Sequence, residues 1–387
     1  MKNKKINLSV ARRSGFASGM FSSPSLKAGL SGGGDIKLPF QLKRPVLALG
    51  GQTKNTICFA RGDSAWISPV HADLNAPQDL LAFEKDLERC LQKRPAIIAC
   101  DLHPEYQSSR YAARLAVKYR LEYIQHHHAH IASCMADNNL GNKKVIGVAF
   151  DGTGFGADSH IWGAEFLLCD YKKFLRLAHL KEIPLVGGER AIMEPWRLLA
   201  AWLDFAKTID KGHRLKKIYQ CGINSPLASS MGRLFDAAAS LILNKRKAGF
   251  EAELAVALEK LAVKNKLKAA GYAFNLIKSK NGYILDPAEC LKQIIQDLKS
   301  QKPRQYIAWR FHRSAAEMIV KTCSALRKKN KINQVVLSGG VFQNSLLLQT
   351  GLDLLCKEGF RVFTHRYLPC NDTCISLGQA VIAAYRS

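Results

Sequence analysis

Val46-Leu47-Ala48-Leu49-Gly50-Gly51 is an apolar run of strand length closed by two glycines, and the pattern that decides the fold starts there. Working forward, Thr56-Ile57-Cys58-Phe59-Ala60 predicts a second strand and Ser64 to Ser68 a third. A helical stretch from Asp79 to Leu91 follows, then a strand from Ala96 to Cys100 ending in Asp101-Leu102-His103-Pro104. A helix from about Ser109 to Tyr119 leads to a short strand, Leu121 to Gln125. Strands alternating with helices at this spacing indicate an α/β domain.

At the end of that strand the chemistry begins. Gln125-His126-His127-His128-Ala129-His130 opens a segment of helical character running through Met135. Residues four apart share a helix face, so His126 and His130 can address one metal ion while His127 and His128 face elsewhere. The apolar run Val145 to Phe150 delivers Asp151 into a predicted glycine-rich turn, Asp151-Gly152-Thr153-Gly154-Phe155-Gly156. Two histidines and a carboxylate make an open site. A histidine-rich helix start can equally be surface imidazoles or a backbone-bonded core histidine, and the Asp-Gly turn alone is common.

Strand-strand-strand-helix-strand-helix is the unit of the actin-like ATPase and sugar-kinase (ASKHA) folds, whose glycine turns hold phosphates through backbone N–H groups. A second copy is expected. It starts with the strand Ile161 to Leu168 and is interrupted by a long helical insertion over about 189–262. It resumes at Gln334 to Leu337, where Ser338-Gly339-Gly340 opens a helix from Val341 to Leu355. Phe360 to Phe363 is the last strand and Ser376 to Tyr385 the last helix. The expected division is a flexible linker over 1–45, a first lobe over 46–165 carrying the histidines, and a second lobe over 166–387. The linker rests on Ser14 to Gly34, rich in Ser and Gly.

Composition bounds the function. The chain has 387 residues, 47% of them hydrophobic, enough for large cores. No apolar run is long enough for a transmembrane helix, and the basic start Met1-Lys2-Asn3-Lys4-Lys5 lacks the apolar stretch of a secretory signal. Eleven cysteines without a Cys-x-x-Cys pair argue against zinc ribbons and disulfides and for the cytoplasm. With 57 Lys plus Arg against 31 Asp plus Glu, the net charge is +26. That favours an acidic partner such as a nucleotide or RNA. The bases cluster only at Lys245-Arg246-Lys247, Lys264 to Lys268 and Arg327-Lys328-Lys329, without interleaved aromatics, so a nucleic-acid surface is possible but not favoured.

Ser338-Gly339-Gly340-Val341-Phe342-Gln343-Asn344 suits a phosphate or ribose at a helix N-terminus, or is a turn needing glycine for sterics alone. Asp372 precedes the last helix as a closing metal ligand or a cap. Ser230-Met231-Gly232-Arg233-Leu234-Phe235-Asp236 and Glu194-Pro195-Trp196-Arg197 are candidate anion contacts or ordinary helix starts. Cys370 and Cys374 bracket Asp372 as soft ligands or a redox pair, although packing residues are the commoner meaning of such cysteines.

From Pro45 onward these residues resemble the C-terminal part of the hydrogenase-maturation carbamoyltransferases of the HypF family. The resemblance runs through Leu49 to Thr56, Cys100 to Tyr106, Gln125 to Ser133, Phe150 to Gly156 and Trp162 to Leu167. It continues through Glu194 to Arg197, Gly232 to Asp236, Leu337 to Leu347 and Asn371 to Ala380. The triple-His run and Asp-Leu-His-Pro go with this family rather than with the related tRNA threonylcarbamoyl transferases. Ala11 to Phe16 is similar to the linker preceding this part.

The resemblance implies transfer of a carbamoyl group from carbamoyl-adenylate to the C-terminal cysteine of a HypE-like acceptor, on the route to the cyanide ligands of [NiFe] hydrogenase. It implies His126, His130, Asp151 and Asp372 as ligands of a divalent metal, iron or zinc, with Asp151 and Asp372 also catalytic. Gly152, Gly154, Gly232, Arg233, Asp236, Gly339, Gly340 and Asn344 become expected contacts for ATP or carbamoyl-adenylate. The family's acylphosphatase, zinc-finger and adenylate-forming domains have no counterpart here, so a separate adenylate-forming protein is expected to supply the donor. Three motifs depart from the family. Asn-Asp-Gly-Gly is Asn371-Asp372-Thr373-Cys374, Tyr-Glu-Gly-Gln is Phe250-Glu251-Ala252-Glu253, and the Gly-Gly of the Trp-Gly-Gly-Glu strand is Gly163-Ala164. These changes keep open an O- or N-carbamoyltransferase for a small molecule or tRNA, and a non-catalytic paralogue.

Overall fold

The computed structural model describes residues 33–208, 214–265 and 269–387. Its first sheet is built from β1 (Gly34–Ala48), β2 (Cys58–Ile67), β3 (Ile97–Asp101) and β4 (Arg120–Ile124), in the order β2-β1-β3-β4. Helices α1 (Pro77–Leu91) and α2 (Gln107–Leu115) precede β3 and β4. Helix α3 (His126–Asp137) follows β4 directly, and all its residues are buried.

The second sheet is larger. It contains β5 (Val145–Phe155), β6 (Ile161–Cys169), β7 (Phe174–Leu180), β8 (Leu227–Ser230), the hairpin β9 (Asn275–Ser279) and β10 (Gly282–Asp286), β11 (Gln334–Ser338) and β12 (Arg361–Phe363). The order is β9-β10-β7-β6-β5-β11-β12, with β8 joined parallel to the start of β6. Helices Met231–Leu243, Glu253–Val263 and the long Arg304–Asn330 cover it. The chain closes with helix Ile375–Arg386, here α4, which lies with α3 between the two sheets. This is the actin-like α/β architecture expected from the sequence.

Several expected boundaries are corrected. Residues 34–45 are not linker: they are the first half of β1, paired antiparallel to β2, with Ile36 and Leu38 buried and Lys37 exposed between them. Residues 1–32 lie outside the described residues. The two strands expected at Thr56–Ala60 and Ser64–Ser68 are one, because β1 runs long enough to pair with both. The sheets divide after α3 rather than at 165/166, since β5 and β6 belong to the second sheet, and α4 returns to the first. The insertion over 189–262 is not wholly helical, because Leu227–Ser230 adds a strand.

The expected turn at Asp151 is also strand. β5 runs through a bulge between Phe150 and Gly154 to Phe155, still paired with β6. A bulge re-aims side chains without ending the strand.

α3 and α4 cross almost in backbone contact. Gly378 has no Cβ to place there, because one would overlap the Ala129 carbonyl oxygen. Gly147 does the same for Ile131, whose Cγ1 would lie 2.6 Å from an added Cβ. On the other side Gln379 clamps the Gly50 peptide, its Oε1 accepting from Gly50 N at 2.9 Å and its Nε2 donating to Gly50 O at 3.2 Å. Gly378→Ala is expected to destabilise the protein by about 3 kcal/mol or more, since backbone on both sides prevents relaxation. Urea denaturation of the variant measures this; a loss within about 0.5 kcal/mol would contradict the crossing geometry.

Candidate metal centre and interlobe cleft

Three elements converge at the N-terminus of α3. Gln125 caps that helix, its Oε1 accepting from His128 N at 2.9 Å. His126 and His130 lie one turn apart and send their Nε2 atoms to the same carboxylate, Asp151 Oδ2, at 3.4 and 3.1 Å. From the short 3-10 turn Asp372–Cys374 that leads into α4, Asp372 Oδ1 lies 3.8 Å from His126 Nε2 and 3.6 Å from His130 Nε2. The four ligand atoms lie within 4.8 Å of one another. Donors bound tetrahedrally to one ion at zinc-like bond lengths sit about 3.4 Å apart. The cluster therefore fits a single divalent ion of the kind that takes imidazole and carboxylate. The histidines are fully buried, while Asp372 keeps 19% of its side-chain surface open, so the cleft opens on that side.

The rings are held from behind. His126 Nδ1 donates to Asp101 Oδ2 at 2.8 Å, which fixes the tautomer and leaves Nε2 for a metal. Asp101 ends β3, fully buried, and its Oδ1 accepts from His103 N at 3.0 Å. His130 Nδ1 faces Ser338 Oγ and Cys374 Sγ, each at 3.3 Å. Ser338 Oγ is in turn 2.9 Å from His365 Nε2, and His365 Nδ1 makes an ionic contact of 3.5 Å with Asp137. Asp151 Oδ1 accepts from Gly152 N at 2.8 Å and Gly340 N at 3.2 Å, which turns its other oxygen to the histidines.

Charge sets the protonation. Burial pushes the His126 imidazole down, but Asp101, Asp151 and Asp372 outweigh it and raise it to about 10. His130 is likewise raised, burial being opposed by Cys374, Asp151 and Asp372. Asp151, which burial alone would raise, is held well below the usual carboxylate range by the two histidines. The thiol of Cys374 is pushed up by burial and down more strongly by His130 and His365, to about 6.

The remaining candidates divide. Arg233 stands over Gly152: its Nε is 3.4 Å from Gly152 O and its Nη2 donates to Glu251 at 2.6 Å. Its Nη1 pairs with Asp236 at 3.1 Å. Burial raises the Asp236 carboxyl to about 6, with Arg233 opposing and Glu251 adding to the rise. Gly232 packs backbone to backbone on Gly152, where a Cβ would lie 2.9 Å from the Gly152 Cα. Gly339 has φ +107 and sits against the Phe150 carbonyl, so only glycine fits the turn that presents Gly340 N. Gly154 lies against the histidines, where a Cβ would fall only 2.5 Å from His127 Cε1. Asn344 is committed within the second lobe: its Oδ1 caps the helix Ser345–Lys357 at Leu347 N, 2.9 Å, and its Nδ2 donates to His312 Nε2, 2.9 Å.

The helix Val341–Leu355 expected after the glycines starts only at Ser345, preceded by a short 3-10 turn over Gly340–Gln343. His127 and His128 do face elsewhere. His127 Nδ1 accepts from Gln125 Nε2 at 3.2 Å, and His128 Nε2 bonds the Asp170 carbonyl at 2.6 Å. Two basic clusters have structural work: Arg246 lies over Trp196 at 4.7 Å and Arg327 over Phe360 at 3.9 Å. Lys266 to Lys268 lie outside the described residues.

Thr373 and Cys374 are accommodated without a left-handed backbone; Cys374 has φ −87. Thr373 Oγ1 donates to Asn371 Oδ1 at 2.8 Å, and its carbonyl accepts from Thr56 Oγ1 at 2.9 Å. Ala252, by contrast, sits at φ +62, where glycine would be unstrained.

Asp101, Ser338 and His365 escape the sequence reading as parts of this centre, and Cys374, weighed there as a soft ligand, lies behind His130 rather than among the four grouped ligands. Only Asp101 carries a signal, as an acid at the carboxyl end of a strand beside the histidine strand.

Two family models match the chain. One described as "Carbamoyltransferase, Kae1-like Domain, second subdomain" covers residues 147–379, and one described as "HypF Kae1-like domain" covers residues 41–137. The carbamoyltransferase HypF2 of Cupriavidus necator is 34% identical over 380 residues, 88% of this chain and 47% of that protein. A carbamoyltransferase HypF homolog from the same organism is 34% identical over 362 residues, 88% of this chain and 91% of its own length. A crystal structure of full-length HypF in its phosphate- and nucleotide-bound form superposes with a TM-score of 0.83 at 39% identity, over 91% of this chain and 57% of that one. The HypF of T. kodakarensis gives 0.79 at 27% identity, over 92% and 48%. The chain thus spans about half the length of most of the curated relatives it matches. No helix among the described residues is long and apolar enough to cross a membrane.

Asp101→Asn is expected to weaken metal binding about 10- to 100-fold, as loss of a ligand's supporting carboxylate does. Chelator competition reads the affinity, and circular dichroism checks that the fold persists. Because the ion-free histidines hold protons that a metal must displace, binding is expected to release protons at pH 7–8 and to strengthen as pH rises, by about tenfold per unit for each proton released. Calorimetry in buffers of different ionisation enthalpy counts them; no release would contradict the protonated state.

Proposed function

The chain belongs to the HypF carbamoyltransferase family, matching its C-terminal Kae1-like part, and from that premise we propose that it transfers a carbamoyl group from carbamoyl-adenylate to a cysteine thiol of a HypE-like acceptor in hydrogenase maturation. The observation that carries the proposal is the convergence of His126, His130, Asp151 and Asp372 at a cleft bordered by Gly340 N and Arg233.

In this reading the four side chains hold one divalent ion, iron or zinc. When bound, that ion supplies Lewis acidity toward an oxygen of the acyl phosphate. The protein's own groups do the rest. Asp101 and Ser338 keep the two imidazoles oriented, and Gly152 N and Gly340 N keep Asp151 turned inward. Arg233, Gly152, Gly232 and Asp236 form the wall toward which the leaving phosphate is placed, with Gly339 shaping the turn beneath. Glu251 Oε1 occupies Arg233 Nη2 across the mouth, and a phosphate oxygen has the same acceptor chemistry.

The reaction balances simply. The acceptor sulfur, as thiolate, attacks the carbamoyl carbon; a C–S bond forms and the C–O bond to phosphate breaks. Adenosine monophosphate leaves with the electron pair, and the thiol proton passes to solvent. The net charge of +26 supports an anionic donor and an acidic acceptor surface.

The test is a coupled assay in which a HypF N-terminal half generates carbamoyl-adenylate and a HypE protein serves as acceptor. Mass spectrometry then follows a gain of one carbamoyl group on the acceptor's C-terminal cysteine. Transfer is expected with this chain and is expected to fall about a hundred- to a thousandfold for Asp372→Ala, in line with losing a group central to charge stabilisation. Absence of transfer by folded, metal-loaded protein would sink the thiol reading and favour a small-molecule or tRNA acceptor, or a non-catalytic role.

A further inference from the structure

The second sheet ends in an open edge. β9 (Asn275–Ser279) pairs antiparallel with β10 on one side and, among the described residues, with no strand on the other. Four of its five residues are exposed. A strand of this kind presents a row of unpaired backbone N–H and C=O groups. Beside it runs a groove of about 660 Å³ between the β9-β10 hairpin and the long helix Arg304–Asn330. Leu276 and Tyr283 form the hairpin wall, and Lys321, Ala325, Lys328 and Lys329 form the helix wall, falling on one stripe of that helix. Tyr283 stands opposite Lys278 in the ladder, and Leu276 is two residues from Lys278, so all three side chains share the face toward the helix. Ile277, on the other face, keeps 46% of its surface open, so no element covers the strand there either.

The groove has an apolar floor and a cationic rim. Leu276, Tyr283 and Ala325 are half-buried, whereas Lys278, Lys321, Lys328 and Lys329 are exposed. No carboxylate lines the groove, and among the described residues none of these lysines makes an ion pair. Lys321 only donates to the Phe274 carbonyl, at 3.3 Å. Lys328 and Lys329 belong to the last turn of their helix, where cations suit its dipole. That reason does not extend to Lys321, well before the last turn, or to Lys278 on the strand.

We propose that this edge docks an extended acidic segment of a partner protein, which adds to β9 as a further strand and sets its carboxylates against Lys278, Lys321, Lys328 and Lys329. The inference stands apart from the carbamoyl-transfer reading, since none of its residues belongs to the metal cluster or to the wall around Arg233. Charge selects the occupant. Lysines on an open edge repel a basic strand, so a second copy of this chain, itself carrying +26, is disfavoured there. An acidic strand gains the same backbone bonds without that repulsion. RNA is also anionic, but the groove offers Tyr283 alone for stacking. A row of alternating donors and acceptors matches another peptide backbone, not a phosphodiester.

The test uses the whole chain and a fluorescent peptide, about eight residues long, that alternates Glu with Val. Fluorescence anisotropy is expected to show binding that weakens as salt rises. It is expected to weaken about tenfold or more in the double variant Lys328→Glu, Lys329→Glu, whose substitutions sit at exposed positions. Circular dichroism checks that this variant is folded. The same peptide N-methylated at alternate residues keeps its charges but cannot complete a ladder, and is expected to bind about tenfold more weakly, the cost of one or two lost hydrogen bonds. Equal binding of the N-methylated peptide overturns strand addition, and equal binding by the double variant overturns the groove as the site. A Lys-Val peptide that binds as well, or a single-stranded oligouridylate that binds more tightly, overturns the acidic polypeptide as occupant. No binding of the Glu-Val peptide overturns the proposal outright.

Discussion

The crossing of α3 and α4 is the constraint on which the site depends. Gly378 lets the two helices approach until backbone meets backbone, and only at that separation does Asp372 reach the N-terminal turn of α3. Both helices are buried between the sheets, so neither can slide to recover a lost fit. The ligand set is therefore a property of the interlobe packing rather than of any one segment. His126 and His130 come from the first lobe, Asp151 from the second sheet, and Asp372 from the turn that leads into the helix returning to the first.

Around the four ligands the buried polar groups form a nearly complete second layer. Asp101, Ser338, Gly152 N and Gly340 N each fix one face of one ligand. Placing two carboxylates and two imidazoles in a low-dielectric interior is costly unless the charges balance. Protons on the histidines supply that balance, and a bound divalent ion would replace them. The thiol of Cys374 joins the same electrostatic group through His130 and His365.

Much of this is legible in the sequence. The i, i+4 spacing of His126 and His130 needs only helix geometry, and Asp151 is picked out by the apolar run before it, although the strand continues through a bulge to Phe155. Asp372 comes from resemblance, because nothing local distinguishes a cap from a ligand more than two hundred residues from the histidines. Asp101 is visible but its role is not, since that depends on β3 and β4 lying side by side. The start of β1 is hidden by Pro39 and Pro45 within its alternation, and an edge register with two irregularities against β2 leaves no clean period. Asn344 shows the opposite failure. Its position after the glycines suggests a ligand contact, whereas its amide is spent on a helix cap and on His312.

The return of α4 to the first lobe has a consequence for biosynthesis. The first sheet and α3 leave the ribosome well over two hundred residues before the helix that covers them. Until Ile375–Arg386 emerges, the face of α3 at Ala129, which Gly378 meets, lacks its helix partner. The centre is thus assembled by contacts of very high sequence separation, which form late and slowly. A nascent chain can present the two histidines early, but the four grouped side chains come together only when the second lobe has been made.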